Sequence, residues 1–287
     1  MFEGGRQQGI ALISVLLMTA FVTMIVSGML AHQRLSVYNS IISSERQQLW
    51  QLALSGETWA RQQLANSMRE NNWKVVHLGQ TWAQHSQAFE IEDGSIQIHI
   101  EDLGARFNLN TVRLSQEPIA QRRYQQLLRS LGVPSHDPRM VPAPSATSHL
   151  TDISELSLLA NVNVSALVRL RPFVIAHEEE SLNVNTANRQ VLASLEGFDL
   201  GKAQALIASR PIGGYNTVQA FQEAAVRLGV QVSTYGLGVD SKNFRATIRV
   251  RKAQHTLQLT SDFKIVNGRQ LRVQQRQLSS FVAPPNN

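Results

Sequence analysis

The side chains of this chain most able to do chemistry are eight histidines, one acidic run and one glycine-flanked turn, and none has the spacing its chemistry needs. His32, His77, His85, His99, His136, His149, His177 and His255 include no pair spaced to hold a metal from one helix face. There is no Gly-x-Ser-x-Gly elbow for a nucleophile. Gly197 to Lys202 imitates a phosphate loop, but it is one residue short between the glycines, and Ala203 stands where a magnesium-binding hydroxyl is required. Glu178-Glu179-Glu180, followed by Asn183, offers hard oxygen atoms to calcium, although a bare acidic run lacks the spaced ligand set of a calcium loop and reads first as a solvated turn. Cysteine is absent, which removes disulfides and thiolate metal sites. An enzyme is not expected and no cofactor is required; calcium stays open, with its ligands unassigned.

A formal net charge of +6 raises nucleic acid or acidic lipid as partners, but the arginines are dispersed and no run of five occurs. The segment Asn185-Thr186-Ala187 through Leu195-Glu196-Gly197-Phe198-Asp199 to Arg210 has the grammar of a helix-hairpin-helix module. Such modules aim backbone N–H groups at a phosphate from a Gly-hydrophobic-Gly turn. Here the second glycine is replaced by Asp199, whose carboxylate repels that phosphate. The packing pattern is kept and the binding chemistry is lost, so nucleic acid is not the expected partner. A membrane-tethered DNA-binding or uptake protein remains the alternative reading.

The elements around these residues follow from periodicity. Gly9 precedes twenty-two uncharged, mostly apolar residues, Ile10 to Ala31, and apolar or small residues then recur at 3–4 spacing through Leu35, Tyr38, Ile42, Leu49, Leu52, Trp59 and Leu64. No proline falls between Ile10 and Met68, which predicts one helix of nearly sixty residues. Alternation at Phe89–Ile91, Ile96–Ile100, Ile248–Val250, Leu257–Ile265 and Leu271–Val273 predicts five strands, with turns at Asp93-Gly94 and Asn267-Gly268. One apolar face per strand predicts an antiparallel sheet covered by the long helix. Between the second and third strands the chain reads as helical. It contains a helix from Ala120 to Leu131, a proline-rich loop from Pro134 to Ser148, and two helical hairpins capped at Thr151 and Thr186.

The membrane reading is physical. Twenty-two residues of helix span about 33 Å, enough for a hydrocarbon core of about 30 Å. A cleaved signal peptide is the competing reading, but the apolar run exceeds the usual length and the small-residue patterns at Val26-Ser27-Gly28 and Met29-Leu30-Ala31 are poor. Thr19, Thr23 and Ser27 share one face, either to pack against other helices or simply to bond back to their own. Arg6 is offset by Glu3 before the span, and Arg34 and Arg46 follow it, so charge does not orient the segment.

Taken together, the glycine-preceded apolar helix, the interrupted sheet, and the phrases Glu101-Asp102-Leu103-Gly104-Ala105-Arg106-Phe107-Asn108-Leu109-Asn110 and Leu182-Asn183-Val184-Asn185-Thr186-Ala187 resemble the minor pseudopilin K family of bacterial type II secretion systems. The resemblance implies an α+β fold in which a long N-terminal transmembrane and amphipathic helix packs on a small antiparallel pilin-like sheet. It also implies a large all-α insertion with two helix-hairpin-like units. The expected divisions are a leader at 1–9, a transmembrane helix at 10–31, its periplasmic continuation at 32–68, sheet at 69–104, insertion at 105–242 and sheet again at 243–287. It implies that the prepilin peptidase cuts between Gly9 and Ile10, followed by N-methylation, and that the fifth mature position, Ser14, lacks the glutamate most pilins carry there. It further implies a place in inner-membrane lipid, a periplasmic globular part, and a site at the pseudopilus tip. The partners it implies are the minor pseudopilins I, J and H and the major pseudopilin G. Leu49, Leu52, Trp59 and Leu64 are the expected assembly face, although the same stripe must also cover the sheet.

Overall fold

The computed structural model describes residues 5–71, 74–84, 87–115, 117–142, 148–178, 181–253, 255–268 and 270–282. By compactness it comprises two units, Met1–Leu52 and Ala53–Asn287. Helix α1 runs from Gly5 to Asn71 without interruption, as an unbroken, proline-free 3–4 pattern requires. Its described side chains from Leu12 to Ile41 are all exposed, while from Ala53 onward one stripe is buried.

Strand β1 (Gln87–Ile91) and strand β2 (Gly94–Asp102) form an antiparallel hairpin. Ile91 pairs with Gly94, so the turn residues are Glu92 and Asp93, one position earlier than the expected Asp93-Gly94, and Asp93 takes the positive φ of 60°. Gly94 is needed for a different reason: a Cβ there would fall 1.9 Å from the carbonyl oxygen of Arg251 on the neighbouring strand.

The helical insertion begins after Asp102. It comprises β3 (Phe107–Asn108), α2 (Leu109–Arg113), α3 (Pro118–Ser130), short 3-10 turns at Pro138–Met140 and Ile153–Leu158, α4 (Val164–Leu170), β4 (Val174–Ile175), β5 (Leu182–Asn183), α5 (Arg189–Leu192), α6 (Leu200–Ala208), α7 (Val218–Arg227) and β6 (Leu237–Gly238). It carries its own core, in which Phe107 stacks on Tyr124 and Phe198 on Phe221 among buried leucines and valines. Two parallel two-residue ladders, β3 with β4 and β5 with β6, clip distant parts of the insertion together and were not expected from periodicity, since two residues carry none. The expected caps also move. Asp152, not Thr151, caps the turn at Ile153, in a capping box with Glu155, and Asn188, not Thr186, caps α5.

The chain then returns to the sheet through β7 (Asn243–Lys252), β8 (His255–Val266) and β9 (Gln270–Val282), giving the all-antiparallel order β1-β2-β7-β8-β9. Asn267 and Gly268 both take positive φ in the last hairpin, as expected of that pair. Phe244, Ala246, Ile248 and Val250 of β7 are buried and alternate with arginines on the opposite face. The α1 residues from Ala53 onward cover this apolar face, with Gly56 set so tightly that a Cβ would lie 2.6 Å from Ile248 Cγ2. Trp59 meets Phe89 edge-on at 5.6 Å. Glu57, buried on the same stripe, accepts hydrogen bonds from Ser261 Oγ (2.6 Å) and from Arg276 Nε and Nη2 (2.7 and 2.8 Å). The arginine holds this carboxyl below the usual range against the opposing effect of burial.

Candidate functional site

Four features bear on function: the apolar start of α1, its buried stripe, the hairpin around Gly197, and a buried polar junction joining insertion to sheet. Gly9 and Ile10 lie on α1, and Ser14 is an exposed helical residue one turn further on. The helix has a window of mean hydropathy 2.2 near its N-terminus, long and apolar enough to cross a membrane. Thr19 Oγ1 donates to the Leu16 carbonyl, and Thr23 Oγ1 to those of Thr19 and Ala20, so these two hydroxyls are satisfied within their own helix.

Of the expected assembly face, Leu64 is fully buried, Leu49 is buried, and Leu52 and Trp59 are half-buried. Leu64 and Trp59 contribute to the fold of the sheet unit, where Gly56 lets the helix settle directly onto Ile98 and Ile248. The exposed large apolar residues of α1 beyond the span are instead Leu35, Val37, Tyr38 and Ile41.

At the hairpin, Gly197 takes φ +72° and the Asp199 carboxylate accepts a hydrogen bond from the Lys202 backbone N–H at 2.8 Å, capping α6. The amide that a phosphate would approach is therefore already bonded to an internal anion, which is the physical content of the lost glycine. Asp199→Ala is expected to cost about 1 kcal/mol of stability, the usual value of such a cap, measurable as a lowered urea midpoint at unchanged slope.

The two sequence phrases that carry the resemblance meet in the interior. Asp102, at the end of β2, is buried and accepts four hydrogen bonds: from Gly104 N–H (2.8 Å), Asn183 Nδ2 (3.0 Å), Thr186 Oγ1 (2.6 Å) and Ser241 Oγ (2.8 Å). Asn183 Nδ2 donates also to the Val76 carbonyl and to Ser241 Oγ. One cluster thus joins the end of β2, strand β5, the return to β7 and the segment that follows α1. Asn108 and Asn110 act likewise. Asn108 bonds the backbone of His177 in both directions, and Asn110 bonds Leu150 in both directions and the His177 carbonyl. Asn185 straps Tyr215 through both its N–H and its carbonyl. An amide side chain can satisfy an N–H and a C=O at once, which explains why asparagine recurs in these phrases. Sequence reading noted the phrases without seeing that their polar residues are buried partners.

Elsewhere buried cations hold loops. Arg113 donates to the carbonyls of Ser148, Pro138 and Val141, gathering the proline-rich stretch. Arg123 on α3 pairs with Glu196 and also donates to the Ser233 and Tyr235 carbonyls. Among the histidines, His136 bonds the Tyr124 hydroxyl at 2.7 Å, and burial lowers the pKa of His77, His136 and His177. Of the calcium candidates, Glu179 and Glu180 lie outside the described residues, Glu178 sits 3.8 Å from Lys264, and Asn183 is turned inward to Asp102. Among the described residues no three His, Asp or Glu side chains cluster as metal ligands would.

A membrane-length N-terminal helix and an antiparallel sheet split by a helical insertion are the elements expected of a pilin-like subunit. The family model for type II secretion system protein K matches residues 182–240, the stretch that contains Asn183, Asn185, Thr186 and the hairpin. Type II secretion system protein K of Pseudomonas aeruginosa is 29% identical over 97% of this chain and 95% of its own, and that of Klebsiella pneumoniae is 28% identical over 85% and 88%. GspK in the crystal structure of the GspK–GspI–GspJ complex from enterotoxigenic Escherichia coli has the same fold, with a TM-score of 0.66 at 23% identity, covering 84% of this chain and 99% of that one. Over nearly its whole length the chain is thus similar to type II secretion system protein K.

Proposed function

We propose that this subunit sits at the tip of the type II secretion pseudopilus and caps or starts its assembly for export of folded proteins across the outer membrane. The observation that carries this reading is the insertion: a helical body with its own core, placed between hydrogen-bonded neighbours β2 and β7. It adds bulk to one subunit that repeating neighbours in a filament must accommodate, which is simplest where nothing is stacked above. Ser14 in place of glutamate fits the same position, since a subunit with none above it has no terminal amine to engage.

In this reading the prepilin peptidase cuts between Gly9 and Ile10 and the new amine is methylated. The apolar helix holds the subunit in the inner membrane with its globular part in the periplasm until assembly. The partners are the minor pseudopilins I and J, by analogy with the GspI and GspJ that accompany GspK in the related complex, together with H and the major pseudopilin G. The role is structural, without catalysis or a required cofactor, and any calcium would be a stabilising ligand. A Gly9→Val variant is expected to remain unprocessed. Mass spectrometry of the N-terminus decides it, and a Gly9→Val chain that still begins at Ile10 would sink the reading.

A further inference from the structure

Two of the well-buried carboxylates in this fold face an arginine, Glu57 with Arg276 and Asp262 with Arg245, and the half-buried Glu196 pairs with Arg123. Asp102 faces none among the described residues. Its four partners are a backbone N–H, an amide and two hydroxyls, all neutral. The elements packed around it carry Glu101 on β2, which is paired with Arg106, His77 beside Val76, and Asp240 and Lys242 flanking Ser241. None of these bonds the Asp102 carboxylate. A fully buried anion without a countercharge is held against its desolvation only by hydrogen bonds.

The hydroxyls also give this site a second bonding arrangement. Thr186 Oγ1 donates to Asp102 Oδ2 at 2.6 Å and lies 3.4 Å from the Asn183 carbonyl. If Oδ2 carries a proton, that hydroxyl can turn to donate to the Asn183 carbonyl and accept the new O–H, while Asn183 Nδ2 keeps the Val76 carbonyl and Ser241 Oγ as acceptors and Ser241 Oγ keeps the remaining lone pair of Oδ2. The proton comes from solvent, and the nearest cleft is one of about 560 Å³ lined by Asn108, Thr111, Tyr235 and Ser241, the last of which is bonded to Asp102.

We propose that this junction is a proton-sensitive latch, in which Asp102 gains a proton in mild acid and, by a turn of the Thr186 hydroxyl, holds the helical insertion to the sheet more firmly than at neutral pH. Burial, opposed by the four hydrogen bonds, pushes the Asp102 carboxyl up to about 6 from an ordinary 3.8. A carboxyl raised on folding contributes stability that is complete below the unfolded value and is lost as pH rises through the folded one, so the window is 3.8 to about 6. Glu57, Asp137, Asp152 and Glu155 are shifted the other way and lose stability in acid, so the effect must be read as a difference.

The test compares the full chain in detergent with Asp102→Asn at about pH 7.5 and about pH 5, by urea unfolding. The wild-type unfolding constant, relative to that of the variant, should fall about tenfold on acidification, as those two pKa values require. A ratio that does not move overturns the proposal. Should the variant fail to fold, carboxyl-carbon NMR of wild-type chain labelled at aspartate decides the matter. One aspartate titrating at about 6 supports the latch, and all of them titrating in the ordinary acidic range overturn it.

Discussion

Arg123→Met is expected to destabilise the soluble part of the chain by about 3 kcal/mol, the lower end of the range for breaking a buried ion pair from one side. Arg123 is 4% exposed, and its guanidinium meets both oxygens of Glu196 at 2.8 and 2.9 Å while closing on two backbone carbonyls of the 233–235 loop. Methionine fills comparable volume but leaves the carboxylate and both carbonyls without their donor. Glu196 is 26% exposed and recovers some hydration, which keeps the cost from the top of the range. Arg123→Lys should restore only part of the loss, because a single ammonium cannot reproduce the fork that reaches four acceptors. In Arg123→Met with Glu196→Gln the orphaned charge is gone, so the pair should be less destabilised than Arg123→Met alone. Urea unfolding of the detergent-solubilised chain measures all three. A single Arg123→Met variant within about 0.5 kcal/mol of wild type, the range of an ordinary surface change, would contradict the assignment.

Gly94→Ala should be nearly as damaging as Gly94→Val, at about 3 kcal/mol each, since the conflict lies at the Cβ itself. That atom would sit 1.9 Å from the Arg251 carbonyl oxygen and under 3 Å from two further backbone atoms, none of which can swing aside as a side chain can. The strands must part at this end, beginning with the Gly94–Lys252 and Ser95–Arg251 pairs, while the Glu101–Arg245 and Asp102–Phe244 end lies several residues away. Hydrogen exchange should therefore quicken in β1 and the first residues of β2 and remain slow near Asp102. Uniform loss of protection along β2, or none, would show that the contact is not what limits this position.

Much of the fold was legible because its periods are long enough to read. The apolar stripe of α1 and the alternation in β7 and β8 each repeat over several turns or pairs, so burial and element type follow together. Legibility failed where structure depends on partners far along the chain. Thr186 looks like a helix cap in its local context, yet its hydroxyl is taken by Asp102, and Asn188 caps instead. Gly94 looks like a turn residue beside Asp93, yet its reason is a strand that arrives after the whole insertion. Asp199 was readable from its charge as a residue that repels phosphate, but its bond to the α6 amide emerged only with the fold. The stripe from Leu49 to Leu64 shows the limit of reading one face for two tasks, since covering the sheet and meeting a neighbour demand the same apolar residues.

The insertion leaves β2 at Asp102 and re-enters at Asn243, next to Phe244, the partner of Asp102 in the ladder. For a bare chain, joining those strands means closing a very long loop, and such closure slows the formation of sheets. A segment with its own core, whose two ends are joined by the bond between Asp102 and Ser241, converts that loop into a short one once it has folded. A folded insertion thus presents β7 beside β2, the inner strand of the β1–β2 hairpin, across a short connection rather than a long open loop.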